Sequence, residues 1–173
     1  MRYYNVLQFD ATDCAAACLS TICKQYGLKR NITKIREIAG TDKNGTNGIG
    51  VLKAAKELGF DAYGVEVENR DLLSNDICYP CIAHVIKDGM NHYIVIHKAE
   101  GGHCIIADPA EGLKDYSFQE FNKIWTGVLF ILQPTEMLYE LHNDRNILFS
   151  ILNICREKKV CCFLSLWYHW FIQ

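Results

Sequence analysis

Four residues near the start and in the second half of this chain, Gln8, Cys14, His92 and Asp108, have the types and settings for nucleophilic chemistry. Cys14 stands in QFDATDCAAACLSTICKQYG, where Thr12 and Asp13 carry capping side chains and an apolar helical run follows. If either residue caps that helix, Cys14 occupies its first turn, where free N–H groups and the helix dipole favour a negative sulfur. Ala15, Ala16 and Ala17 leave the thiol uncrowded. Cys18 and Cys23 lie farther along the same segment, away from its positive end, and read as small buried hydrophobes.

A thiolate nucleophile also needs an imidazole, a group that holds the imidazole, and donors for a developing oxyanion. Pairing HYIVIHK with HCIIADP through a turn at Glu100 to Gly102 makes opposed residue numbers add to about 201 to 203 in an antiparallel ladder. His92 then faces residues 109–111, and Asp108 lies within a rung or two of it. His97 falls opposite residues 104–106, and His84, on CIAHVIK, has no acid so simply placed. Taken singly, His92 is a half-exposed strand residue and Asp108 an Asp-Pro turn; their joint placement is what suggests an oriented base. Gln8, in the loop before the cysteine, has an amide able to donate to an oxyanion alongside the backbone N–H of Cys14.

The elements that must position these residues follow from periodicity. CAAACLSTICKQYG is apolar around most of a helix and predicts a buried one, and NITKIREIAG predicts an amphipathic helix begun by Asn31. GTDKNGTNGIG reads as an ordinary loop, since no strand precedes it and the GxxxxGK[ST] arrangement of a phosphate cradle is absent; VLKAAKELGF is a short helix. From Asp61 the period changes: AYGVEVE, CIAHVIK, HYIVIHK, HCIIAD and GVLFILQ are rich in β-branched and aromatic residues, with turn signals KDGMN and AEGG between several of them. SFQEFNKIW predicts a helix before the last strand, and Pro134 ends the domain. The expected fold class is α+β, an N-terminal helical subdomain packed on an antiparallel sheet.

Composition bounds the rest. With 173 residues, 50% hydrophobic and 22% charged, the chain has the makeup of one packed domain plus an appendage. A net charge of -2 and the lack of a Lys/Arg stripe predict no nucleic-acid partner. The opening MRYYNVLQFD has no secretory pattern, so the nine cysteines are expected to be reduced. CYPC, at residues 78–81, has redox-motif spacing but lacks the preceding βαβ pattern, and a zinc site from Cys155, Cys161, Cys162 and His169 matches no usual ligand spacing. No metal or other cofactor is expected. Residues 135–159 read as a helical connector, and the apolar run of residues 160–173 as the start of a truncated transmembrane helix with Arg156, Lys158 and Lys159 as its positive flank. That run is shorter than the ~20 residues that cross a bilayer.

With these residues assembled, the chain resembles the bacteriocin-processing cysteine peptidase domain at the N-terminus of peptidase-containing ABC exporters. The resemblance runs from about Tyr3 to Gln133 and is carried by Gln8, TDCAAACLSTICKQYG, GTNGIGVLKAAKELGF, NHYIVIHK, IIADPAEG and FQEFNKIWTG. It implies a papain-like fold in residues 1–134, with Cys14 as nucleophile, His92 as general base and acid, Asp108 as the orienting residue and Gln8 as an oxyanion donor. It also implies a precursor peptide whose leader ends in a Gly-Gly type motif, cut after the second small residue at the cytoplasmic face of the bacterial membrane. An amphipathic leader helix would dock on an apolar surface, next to a cleft too narrow for a side chain at the cut. The membrane and ATP-binding domains of such an exporter are absent from this chain, which has no Walker A sequence. Ala15 stands where many relatives carry glycine. Two other readings remain: a non-catalytic leader-binding module, against which the joint presence of Cys14, His92 and Asp108 argues, and a papain-like acyl transferase acting on glutamine side chains.

Overall fold

The computed structural model describes residues 2–67 and 77–138. The chain divides into two compact units, Met1–Thr135 and Glu136–Gln173. The connector beyond residue 138, the apolar run and the cysteines from Cys155 onward lie outside the described residues. Among those described, no helix is long and apolar enough to cross a membrane.

In the first unit three helices precede a six-stranded antiparallel sheet. Helix α1 (Cys14–Gln25) is buried from Cys14 to Cys23, as its all-round apolar sequence predicts. Asn31 begins α2 (Ile32–Ala39), its side chain accepting from the backbone N–H of Thr33, and Gly40 closes it in the left-handed region. Helix α3 (Gly48–Glu57) starts earlier than its apolar pattern suggests, because the Asn47 side chain caps it by accepting from Gly50 N. Gly50 lets α3 approach α2: a Cβ there would lie 2.3 Å from the Ala39 carbonyl oxygen and 2.9 Å from Thr46 Cγ2.

The strands are β1 (Phe60–Glu66), β2 (Cys81–Lys87), β3 (Met90–Glu100), β4 (His103–Asp108), β5 (Gly112–Ser117) and β6 (Trp125–Pro134), with helix α4 (Phe118–Ile124) before the last. Their spatial order is β1-β6-β2-β3-β4-β5. Strand β5 was not expected; GLKDYS lies at the sheet edge with no residue buried and shows no apolar alternation. Ser117 and Glu120 form a reciprocal capping box at the start of α4. The sheet is covered on both faces. Helix α1 lies against β3, while Phe121 and Trp125 join Cys81, Ala83, Ile94, Ile96, Cys104 and Ile106 in a buried cluster.

Two hairpins set the registers that matter. Lys87 pairs with Met90 across Asp88 and Gly89, both at positive φ (51 and 76°), the conformation that an Asp-Gly hairpin turn takes. Strand β3 meets β4 from Glu100↔His103 to Val95↔Ala107, within the register expected from the sequence, but with a bulge between Ile96 and Lys98. His97 sits in that bulge and therefore has no partner opposite it on β4. Its Nε2–H instead donates to the Tyr4 carbonyl (2.7 Å), holding the N-terminal segment to the sheet.

Candidate active site

Cys14 is the first residue of α1, and no side chain caps that helix. The expectation that Thr12 or Asp13 would do so is not met. Thr12 donates both its backbone N–H and its hydroxyl to Asp10 Oδ1, each at 2.8 Å. Asp13 occupies the cap position, but in a helical conformation (φ -89°, ψ -5°) rather than the extended one that aims a side chain at the first turn. Its buried carboxylate is ion-paired with Arg36 of α2. The first intrahelical bond runs from Ala17 N to Asp13 O (2.9 Å), so the N–H groups of Cys14, Ala15 and Ala16, at the start of the helix, have no side-chain cap. Those donors and the helix dipole favour an anion at the sulfur or beside it.

His92 and Asp108 meet as the hairpin register suggests. His92 Nε2 lies 2.9 Å from Asp108 Oδ1, and both side chains are almost wholly buried. Because Nε2 is taken by the carboxylate, Nδ1 is the nitrogen left for the Cys14 thiol, with which the imidazole also hydrogen-bonds. Burial acts to lower the His92 pKa, but the hydrogen bonds to Asp108 and Cys14 and the charges on both outweigh it and raise it to about 9. Asp108 moves the other way. Burial would raise its pKa, yet hydrogen bonds from His92, Lys87 and the Ala110 backbone N–H hold the carboxyl well below the usual range.

These shifts have opposite consequences for stability. The raised His92 contributes stability that is fully present below about 6.5 and is lost as pH rises through about 9. Asp108 contributes stability present above its ordinary value of 3.8 and lost as pH falls through its lower folded value.

Gln8 is anchored by its backbone, which donates to the Pro109 carbonyl at 2.9 Å, one residue beyond Asp108. It lines a cavity of about 180 Å³ together with Ala11, Lys87, Met90, Asn91, His92 and Glu111. Its Oε1 is buried with no hydrogen-bond partner. Cys14 lines a second cavity, of about 570 Å³, and Ala11 and Asn91 belong to the walls of both. The two cavities are therefore neighbours, one lined by Gln8 and His92 and the other by Cys14.

Much of the larger cavity was not legible in the sequence. Gly40, Asp42, Asn44, Gly45, Thr46, Asn47 and Gly48, from the stretch read as an ordinary loop, form one wall. The available signal was the density of glycines and short polar residues, which leaves space beside a nucleophile. His84 and Tyr93, partners across β2 and β3, are also in this cavity. Thr126 donates its hydroxyl proton to the His84 carbonyl (2.9 Å), so His84 Nδ1–H is the donor in its 3.0 Å contact with Thr126 Oγ1. Burial lowers the His84 pKa against a smaller opposing effect of Asn91, which leaves this second imidazole neutral near pH 7.

The remaining cysteines are set apart by burial. Cys18, one turn behind Cys14, is fully buried, and desolvation pushes its thiol well up; Cys23 is pushed up to about 12 for the same reason. Of the CYPC pair, Cys78 is exposed and Cys81 is buried with a raised pKa. Among the described residues no group of three or more His, Cys, Asp or Glu side chains could hold a metal ion.

Comparison with known proteins gives the same direction. Residues 2–137 match the Peptidase C39 family. Over 130 residues the chain is 40% identical to the lactococcin-G-processing and transport ATP-binding protein LagD of Lactococcus lactis subsp. lactis, covering 75% of this chain and 18% of that protein. The chain spans about a fifth of the length of the transport and processing proteins it matches first. Its fold superimposes on the peptidase domain of Streptococcus ComA, a bi-functional ABC transporter involved in quorum sensing, with a TM-score of 0.72 and 35% identity over 78% of this chain and 100% of that domain. A double glycine motif protease from an AMS/PCAT transporter, solved with its leader peptide, gives a TM-score of 0.71 and 30% identity over 78% of this chain and 93% of that one. Those neighbours are papain-like peptidase domains, and the helix-then-sheet architecture described above is theirs. The chain belongs to the Peptidase C39 family and is a cysteine peptidase domain of that family.

Proposed function

We propose that this domain removes the leader from a secreted peptide precursor by cutting after a Gly-Gly type motif, with Cys14 as nucleophile. The observation that carries the reading is the buried His92–Asp108 pair, hydrogen-bonded at 2.9 Å and facing a thiol at an uncapped helix start. The Cys14 thiolate attacks the carbonyl carbon of the second glycine. The tetrahedral oxyanion accepts hydrogen bonds from the Cys14 backbone N–H and the Gln8 amide nitrogen. As the C–N bond breaks, His92 gives its Nδ1 proton to the leaving amine. Water then attacks the thioester, His92 takes up a proton, and the leader leaves as a carboxylate.

The leaving amine must sit at the imidazole, so the cavity of Gln8 and His92 receives the released peptide and the Cys14 cavity receives the leader end. Glycines at 40, 45 and 48 along that second wall let the backbone of a bound peptide lie close to the chain there. Gly48 itself is tightly held, since a Cβ there would lie 3.1 Å from the Phe130 ring. Leu7 and Phe9, which flank Gln8 in the chain, and Met90 are exposed apolar side chains of the kind that a leader helix could cover. Residues 1–134 would be the peptidase and 135–159 a connector. Residues 160–173 would begin a membrane helix of an exporter on whose cytoplasmic side the domain works.

Substrate selectivity tests this reading against the glutamine acyl transferase. A synthetic leader ending in Gly-Gly plus a short cargo is expected to be cut after the second glycine, and the same peptide with valine there to react at least about 100-fold more slowly, because a branched side chain meets the cleft wall. Equal rates for the two peptides, or modification of a glutamine side chain in place of backbone cleavage, would contradict it.

A further inference from the structure

We propose that Lys87 is a positioning residue for the reaction, fixing the carboxylate of Asp108 in the orientation that presents Oδ1 to His92 and sharing its negative charge. This rests on the roles given to Cys14, His92 and Asp108 under Proposed function. Lys87 ends β2, and the Asp88–Gly89 turn brings it beside the start of β3. Its Nζ lies 2.7 Å from Asp108 Oδ2 and 2.7 Å from Glu111 Oε1. Asp108 Oδ1 already accepts from His92 Nε2 at 2.9 Å and from Ala110 N at 2.8 Å. Lys87 therefore supplies the donor for the second oxygen of a carboxylate whose side chain is only 3% exposed. The last torsion of an aspartate is broad, so a carboxylate held on one oxygen can swing, whereas one held on both cannot. An exposed lysine pair contributes little, but one end of this pair is buried against the imidazole.

The charges around the ring make the proposal separable from a role in fold stability alone. His92 is faced by Cys14 from α1, Asp108 from β4, and Lys87 from β2, with Asp88 in the same cavity, and Glu111 and Tyr116 next to Lys87. Removing the lysine leaves Asp108 to act on the imidazolium undiluted, which raises the His92 titration. Removing the Glu111 charge has the opposite effect, because Lys87 then bears wholly on Asp108 and one anion near the ring is gone.

The test is a nuclear magnetic resonance titration of the His92 ring in the histidine-labelled full chain, which needs no substrate, together with kinetics on the Gly-Gly leader peptide. In Lys87→Met the titration is expected to move up by about 0.5 to 1 pH unit, and in Glu111→Gln down. Lys87→Met should also lower kcat by about 10- to 100-fold at unchanged KM, as a misplaced catalytic group does; Lys87→Arg, which keeps charge and donors, should restore both. An unshifted titration in Lys87→Met, shifts of one sign in both variants, or an unchanged kcat would overturn the proposal. If the parent chain cuts no leader peptide, the Gly-Gly reading fails on its own while the titration still decides the role of Lys87.

Discussion

Substituting His92 by alanine lowers kcat for leader cleavage by about 10⁴-fold or more, with the fold retained. General acid–base transfer alone is worth about 10²- to 10⁴-fold, and His92 also holds the charge that balances the thiolate, so both contributions vanish together. Among the described residues no other imidazole is placed to take over its role. His84 lines the Cys14 cavity, but its Nδ1 is committed to Thr126, and it has no carboxylate to hold a proton on it. His97 is turned to the Tyr4 carbonyl. In the parent enzyme the alkaline limb of the rate profile reports this residue. The leaving amine takes its proton from His92, so kcat/KM is expected to fall as His92 loses that proton and pH rises through about 9. A His92→Ala variant within tenfold of the parent, or an alkaline limb near the ordinary histidine value of 6.5, would speak against the assignment.

Asp108→Asn gives the second large loss, about 10²- to 10⁴-fold in kcat, and a change in pH dependence that separates it from simple destabilisation. The amide oxygen can still accept from Ala110 N and from His92 Nε2, so the loop geometry persists. What disappears is the negative charge that raises the His92 pKa against the effect of burial. The alkaline limb must therefore move to lower pH, in the direction opposite to that expected for Lys87→Met. Lys87 loses one anion and keeps Glu111 at 2.7 Å, which limits the damage to stability. Rate–pH profiles of the parent and variant on one leader peptide check both the size and the sign; a lower rate with an unmoved limb would reduce Asp108 to a structural residue.

The parts of the fold legible in the sequence are those built from local rules. Helix α1 announces itself by apolar residues around most of its circumference, Asn31 caps α2 through its own side chain, and the Ser117–Glu120 capping box starts α4. The β3–β4 hairpin is legible because a tight turn fixes the register, and that register puts His92 near Asp108. The bulge at His97 was not, since nothing in the residue types around it demands an extra residue. Long-range electrostatics were equally hidden. Asp13 looks like a cap because caps are local, and its partner Arg36 is brought to it by the packing of α2 on α1. Lys87 reads as the polar end of a strand until the β4–β5 turn places Asp108 and Glu111 on its ammonium. The glycine-rich segment lines the cleft through the path of its backbone, which periodicity does not encode.

The central claim is that Cys14 cuts the precursor backbone after a Gly-Gly motif. Mass spectrometry of a leader–cargo peptide incubated under reducing conditions with the chain, and separately with its Cys14→Ala variant, tests it most directly. The account predicts two products separated after the second glycine with the parent and intact peptide with the variant, which still binds the leader. Cleavage that persists in Cys14→Ala would contradict the assignment of the nucleophile, and a parent that binds the peptide but leaves it whole would mark the domain as a leader-docking module.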